Sequence, residues 1–163
     1  MNGDELQHTA INGTTEYIAA LDALCASAQR TLLIFENDFD NLGFNSEARF
    51  NTLRSFLLAS PNARLHLLAH DTQVLVRFCP RMMLLLRQFS HNMAIHQTPA
   101  NLRHITEPFA VADENSFVRH FHFDDARGVW APNDHGGARL LKSRFEEMWT
   151  TSRPGASSTT LGL

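Results

Sequence analysis

The chain has 163 residues, 44% of them apolar, and a formal net charge of -3 with histidine neutral. That length suits one domain with a real core, and that apolar share excludes a disordered chain. The negative balance argues against broad electrostatic capture of nucleic acid, while leaving room for a local basic patch.

The two cysteines, Cys25 and Cys79, show neither zinc spacing nor a C-x-x-C motif, and two free thiols suit a reducing compartment. The stretch Met1 to Ala10 is polar and lacks the apolar region of a signal peptide. No run approaches the roughly 18 to 20 apolar residues of a membrane span. The expectation is a cytoplasmic protein without membrane contact.

In chain order, Gly13-Thr14-Thr15-Glu16 reads as a helix start with a threonine cap, and Tyr17, Ile18, Leu21, Leu24, Cys25 and Ala28 fall on one helical face. Thr31 to Phe35 is a short apolar run that predicts a buried strand, ending in the turn-prone Glu36-Asn37-Asp38-Phe39-Asp40. Ser46 can cap a second helix carrying Phe50, Leu53, Phe56 and Leu57, which Ser60-Pro61-Asn62 stops. Arg64 to Ala69 predicts a second strand. A helical stretch opening at His70-Asp71-Thr72 is broken or restarted by Pro80. Met93 to His96 predicts a third strand.

Phe109-Ala110-Val111-Ala112, a turn at Asp113-Glu114-Asn115-Ser116, and Phe117 to Phe123 predict a β-hairpin. Asp124 to Asn133 reads as a loop, and Asp134 caps a last helix with Leu141, Phe145, Met148 and Trp149 on one face. Residues 1–150 then make one α/β domain, a mixed β-sheet flanked by helices, and residues 151–163 a flexible tail.

This order resembles one half of the phospholipase D fold. The segment Glu107-Pro108-Phe109-Ala110-Val111-Ala112-Asp113, followed by a hairpin and a helix ending Arg144-Phe145-Glu146-Glu147-Met148-Trp149, is similar to the region around that superfamily's motif, H-x-K-x4-D. It most resembles a small bacterial family of unknown function, sometimes attached to GNAT-type acetyltransferases. In the superfamily the histidine is the nucleophile, the lysine binds phosphate and the aspartate supports the histidine. Setting Asp113 at the aspartate puts Thr106 at the histidine and Pro108 at the lysine. The chain's one lysine, Lys142, follows two leucines, so no His-x-Lys occurs anywhere. The resemblance implies a degenerate site, and by analogy with single-motif members it implies a homodimer.

The residues offer further candidates. If the first two strands are parallel neighbours, Asp38, Asp40, His70 and Asp71 share the carboxyl edge of the sheet, where α/β proteins bind ligands. Asp113 is a fifth member of that candidate cleft, or simply a turn residue. Such a cleft can do acid–base work; otherwise these carboxylates shape turns and cap helices. His120 and His122 alternate on a strand, on one face by period, without a third metal ligand, so no metal and no cofactor are expected. Arginines outnumber lysine thirteen to one. Arg77 and Arg81 lie four apart on a helical region that also holds Arg87, and with Arg119 they are candidate anion binders. Gly136-Gly137 opens the last helix and is a weak anion signal.

Three functions compete: a non-catalytic binding or regulatory module for a phosphate-bearing ligand or a partner protein; a hydrolase or phosphodiesterase with a relocated Asp/His site; and an accessory module of an acetyltransferase.

Overall fold

Eight strands form a single mixed sheet in the computed structural model, which describes residues 7–156. Along the chain these are β1 (Gln7–Asn12), α1 (Thr14–Ser27), β2 (Thr31–Glu36), α2 (Glu47–Ala59), β3 (Arg64–Ala69), α3 (Gln73–Phe78), α4 (Pro80–Gln88), β4 (Met93–Gln97), β5 (Phe109–Ala112), β6 (Ser116–His122), β7 (Asp125–Asn133), α5 (His135–Thr150) and β8 (Arg153–Ala156). The spatial order is β1-β7-β6-β5-β2-β3-β4-β8. β2, β3 and β4 are parallel; every other pairing is antiparallel.

The two sheet faces are covered unequally. Leu32, Ile34 and Leu67 point to the face packed by α1, α2 and α4, with Tyr17, Leu21, Leu53 and Met82 among the partners. Leu33, Phe35, Phe109 and Val111 point to the other face, where α5 supplies Ala138, Leu141, Phe145 and Met148. This alternation along β2 explains its unbroken apolar run: both faces are buried. Pro80 at the start of α4 separates it from α3, since it has no N–H to continue the helix. Ser46 and Asp134 cap α2 and α5 through the N–H groups of Arg49 and Gly137. No helix among the described residues is long and apolar enough to cross a membrane.

Four features differ from the sequence reading. The α1 cap is Gly13 at φ 107°, without a side-chain bond, so the threonines sit inside the helix. The stretch 125–133 is β7, pairing with both β6 and β1, and not a loop. Its Gly128 has a packing reason: a Cβ there would lie 1.9 Å from the Arg119 carbonyl oxygen. The polar segment from Gln7 is β1, an edge strand facing solvent along most of its length. Residues 153–156, read as tail, form β8 against β4, because antiparallel pairing satisfies backbone groups whatever the side chains are. The remaining tail residues, 157–163, lie outside the described residues.

Candidate functional site

β2 and β3 are parallel and in register, with Glu36 opposite Ala69, so the turns that leave them emerge side by side. The Asp71 N–H donates to the Asn37 carbonyl at 3.0 Å and ties the two turns together. Asp38 and Asp40 are held by a strained turn. Phe39 is at φ 66° yet fully buried, edge-on to Phe44 at 4.9 Å, which locks the loop beneath the two carboxylates.

His70 is buried and both of its ring nitrogens are engaged. Nδ1 lies 2.5 Å from Thr98 Oγ1 and Nε2 lies 2.7 Å from the Ile105 carbonyl oxygen. A carbonyl oxygen only accepts, so Nε2 carries the proton and Nδ1 accepts from Thr98. Burial lowers the pKa of His70, with further lowering from Arg103 and His104, against the bond to Ile105. The imidazole is thus a neutral strut between the turn after β3 and the segment before β5. Asp71 accepts from the Gln73 N–H at 2.8 Å at the start of α3.

Two pockets open at this edge. One, of about 390 Å³, is bounded by Asp38, His70, Asp71, Arg103, Thr106 and Phe123. The other, of about 230 Å³, is bounded by Glu36, Asp38, Asp40, His120, Phe123 and Asp124. Asn37, Asp38 and Phe123 line both, so they form one divided cleft. Four of the sequence candidates, Asp38, Asp40, His70 and Asp71, are brought together here.

Sequence reasoning missed the innermost group. The Tyr17 hydroxyl donates to the Glu36 carboxyl, and both are buried. Burial, offset in part by the Tyr17 bond and aided by nearby Asp38, holds the Glu36 carboxyl up at about 8. Burial also raises the Tyr17 phenol well above its ordinary value. The His120 ring lies 3.4 Å from that of Tyr17, its Nε2 has no hydrogen-bond partner, and burial pushes it down to about 4. At neutral pH all three groups are uncharged. Tyr17 is disguised in the sequence by its place in the apolar stripe of α1, and Glu36 by the polar turn that follows it.

The other candidates lie elsewhere. Asp113 follows β5, which runs antiparallel to β2, so it sits at the opposite end of the sheet. There its carboxylate accepts from the N–H groups of Gln29, Arg30 and Thr31 at 2.8, 2.7 and 2.9 Å. With φ 57° at Asp113 and 63° at Glu114, the hairpin turn is of the kind that matches strand twist. Arg77, Arg81 and Arg119 do not converge. Arg77 is exposed on α3, Arg81 donates to the Asn45 carbonyl at 2.9 Å, and Arg119 pairs with Glu107 at 3.1 Å. Arg119 alternates with Val118, which faces α1, so it lies on the opposite sheet face from α4. His120 and His122 do not form a pair either: a register shift between them leaves His122 exposed while His120 is buried. Among the described residues no three His, Cys, Asp or Glu side chains are grouped to hold a metal ion. Gly137 is packed closely under the Asp134 carboxylate, which occupies the α5 start.

The sequence profile of DUF7931, a domain of unknown function, matches residues 13–161. Among curated proteins no sequence matches. The fold is similar to that of TrmBL2, an archaeal chromatin protein whose structure is described as showing a novel mode of DNA binding (TM-score 0.68, 15% identity). That alignment covers 91% of this chain and 54% of the other, so the chain spans about half the length of TrmBL2. Nuc from Salmonella typhimurium, a phospholipase D family member, aligns with TM-score 0.67 and 11% identity over 92% of this chain and 98% of its own. NucT from Helicobacter pylori aligns with TM-score 0.65 and 11% identity over 92% and 99%. At these identities the likeness is one of fold: a mixed α/β architecture of the phospholipase D kind.

Proposed function

The chain belongs to the DUF7931 family, and on that footing we propose that it is a non-catalytic phospholipase D-like binding module whose carboxyl-edge cleft receives a basic group of a partner protein. One observation carries the reading. His70, the imidazole that lines the larger half of the cleft, has both nitrogens committed to internal bonds. It has no lone pair free to attack phosphorus or take a proton. Thr106, at the position that the superfamily resemblance gives to the nucleophile, lines the same pocket. A threonine hydroxyl is a poor nucleophile near neutral pH without a base to activate it, and the imidazole that shares its pocket, His70, is committed to other bonds.

The charge of the cleft argues for a basic partner over a phosphate-bearing one. Asp38, Asp40, Asp71 and Asp124 face Arg103 as the single cation of the lining. A phosphate entering there meets like charge, whereas a lysine or arginine meets opposite charge. The test has two arms. Bis(p-nitrophenyl) phosphate is expected to show no turnover. An arginine hexapeptide is expected to perturb the amide resonances of Asn37 and Asp71, and Asp38→Asn/Asp71→Asn to remove the effect. Phosphodiester turnover that disappears in a folded His70→Ala variant overturns the reading.

The Tyr17–Glu36–His120 group favours a second reading, a hydrolase with relocated acid–base chemistry. A carboxyl still protonated at neutral pH, beside a neutral imidazole, is the arrangement of many acid–base sites. Hydrolysis of an ester or phosphoester substrate that is lost in Glu36→Gln would establish it over the first. Homodimerisation rests on the superfamily resemblance, and service to an acetyltransferase on the likeness to a small bacterial family; sedimentation velocity and co-purification test them. DNA binding, described for TrmBL2, is disfavoured here by the net charge of -3 and the acidic cleft. A salt-dependent gel shift at micromolar protein would reverse that view.

A further inference from the structure

The opposite end of the sheet carries a pocket of different character. At about 680 Å³ it is larger than either pocket at the carboxyl edge. Its rim is set by backbone register. Arg30 precedes β2 and Arg64 opens β3, and the Arg64 N–H donates to the Arg30 carbonyl at 2.9 Å. The two residues are therefore about one strand spacing, roughly 5 Å, apart at the same sheet end. Both are exposed, and among the described residues neither guanidinium has a hydrogen bond or ion pair. Lys142 reaches the same mouth from α5, in a loose 3.6 Å pair with Glu114.

The interior suits an organic body. Leu33 and Phe145 line it, and one wall is the Trp149 ring, parallel to the His66 imidazole at 4.2 Å. Three cations face one lining carboxylate, Glu146. Asp113 lies close by, but its charge is engaged by three backbone N–H groups. The electrostatic sign is thus opposite to that of the carboxyl-edge cleft.

We propose that this pocket binds a small phosphate-bearing molecule, its phosphate held between Arg30 and Arg64 and its organic part against Leu33, Phe145 and Trp149. Two exposed arginines on neighbouring strand ends of one rim bring planar guanidinium forks, each able to give two N–H groups to the oxygens of a tetrahedral phosphate. The volume accommodates a ligand the size of a nucleoside monophosphate. The inference is independent of the carboxyl-edge reading, because it uses none of its residues.

The experiment is calorimetric titration of the full chain with AMP, ribose 5-phosphate and adenosine at constant ionic strength. Tryptophan fluorescence in a Trp130→Phe background reports whether the ligand reaches Trp149. AMP is expected to bind and change that fluorescence, with adenosine silent. Arg30→Ala/Arg64→Ala is expected to weaken AMP by about tenfold or more without moving the thermal midpoint, since both side chains are exposed. Ribose 5-phosphate binding through the same arginines also supports the phosphate seat. The proposal fails if AMP and ribose 5-phosphate are both silent, or if the double variant binds them as well as the parent. It fails equally if sulfate competes at matched concentration, or if a single-stranded oligonucleotide binds these arginines more tightly than either ligand.

Discussion

Replacing Glu36 by glutamine should make the protein more stable at alkaline pH and leave it nearly unchanged at pH 5. The folded state holds this carboxyl at about 8, against an ordinary value of 4.5, chiefly by burial. A carboxyl whose pKa rises on folding is protonated in the fold and ionised in the unfolded chain over the interval between the two values. Its favourable contribution is therefore complete below about 4.5 and is lost as pH climbs to about 8. The full interval corresponds to about 5 kcal/mol, of which about 3 to 4 kcal/mol accrues between pH 5 and pH 8. Glutamine keeps the shape and an oxygen to accept from Tyr17, and it cannot ionise. Urea unfolding followed by circular dichroism, at pH 5, 6.5 and 8, reads the difference. With a denaturant slope of about 2 kcal/mol per molar, the variant's midpoint should exceed the parent's by about 1.5 to 2 M more at pH 8 than at pH 5. A difference between parent and variant that stays flat across this range refutes the assignment of Glu36 as a buried, protonated acid.

His120 acts in the opposite sense: its folded value of about 4 lies below the ordinary 6.5, so its contribution is present above 6.5 and lost as pH falls toward 4. His120→Gln should flatten the acid limb of the stability profile, and the parent's His120 proton resonances should not titrate above pH 5. Thr98→Val removes the hydroxyl that donates to His70 and should cost about 1 kcal/mol by urea unfolding, with the Nε2–H tautomer retained in nitrogen NMR. Asp113→Ala abandons three backbone N–H groups and should cost about 2 kcal/mol, with Asp113→Asn recovering part of it in the same assay. Gly128→Ala, whose Cβ would collide with the Arg119 carbonyl, should cost about 3 kcal/mol and lower the thermal midpoint more than any of these single polar changes.

The elements legible in the sequence were those with buried faces. β2, β3 and β5 announce themselves by apolar runs because both of their faces are covered, and α2 and α5 by a capping side chain followed by a stripe. The strands that escaped, β1, β7 and β8, are edge or near-edge strands whose residues meet solvent. β7 carries Gly128 and Pro132, both unusual inside a sheet, and only Ala131 and Gly128 of its side are buried. Such strands are held by backbone pairing to a neighbour already in place, and pairing leaves no period in the side chains.

The same asymmetry governs the two sites. The carboxyl-edge cleft was legible because parallel strands expel their following turns to a common edge, and polar residues after two apolar runs mark that edge. Its inner group was not, because Tyr17 reaches Glu36 from α1 while His120 stacks on Tyr17 from β6, and only the three-dimensional packing makes a buried carboxyl tolerable there. The basic pocket was invisible for a different reason. Arg30 precedes β2 and Arg64 is the first residue of β3, and in sequence each is one polar residue at a strand start, 34 positions from the other. They become neighbours because the β2–β3 register that aligns Glu36 with Ala69 at one end aligns Thr31 with Arg64 at the other. A single parallel pairing thus builds an acidic edge and a basic edge on one sheet, with opposite ligand preferences.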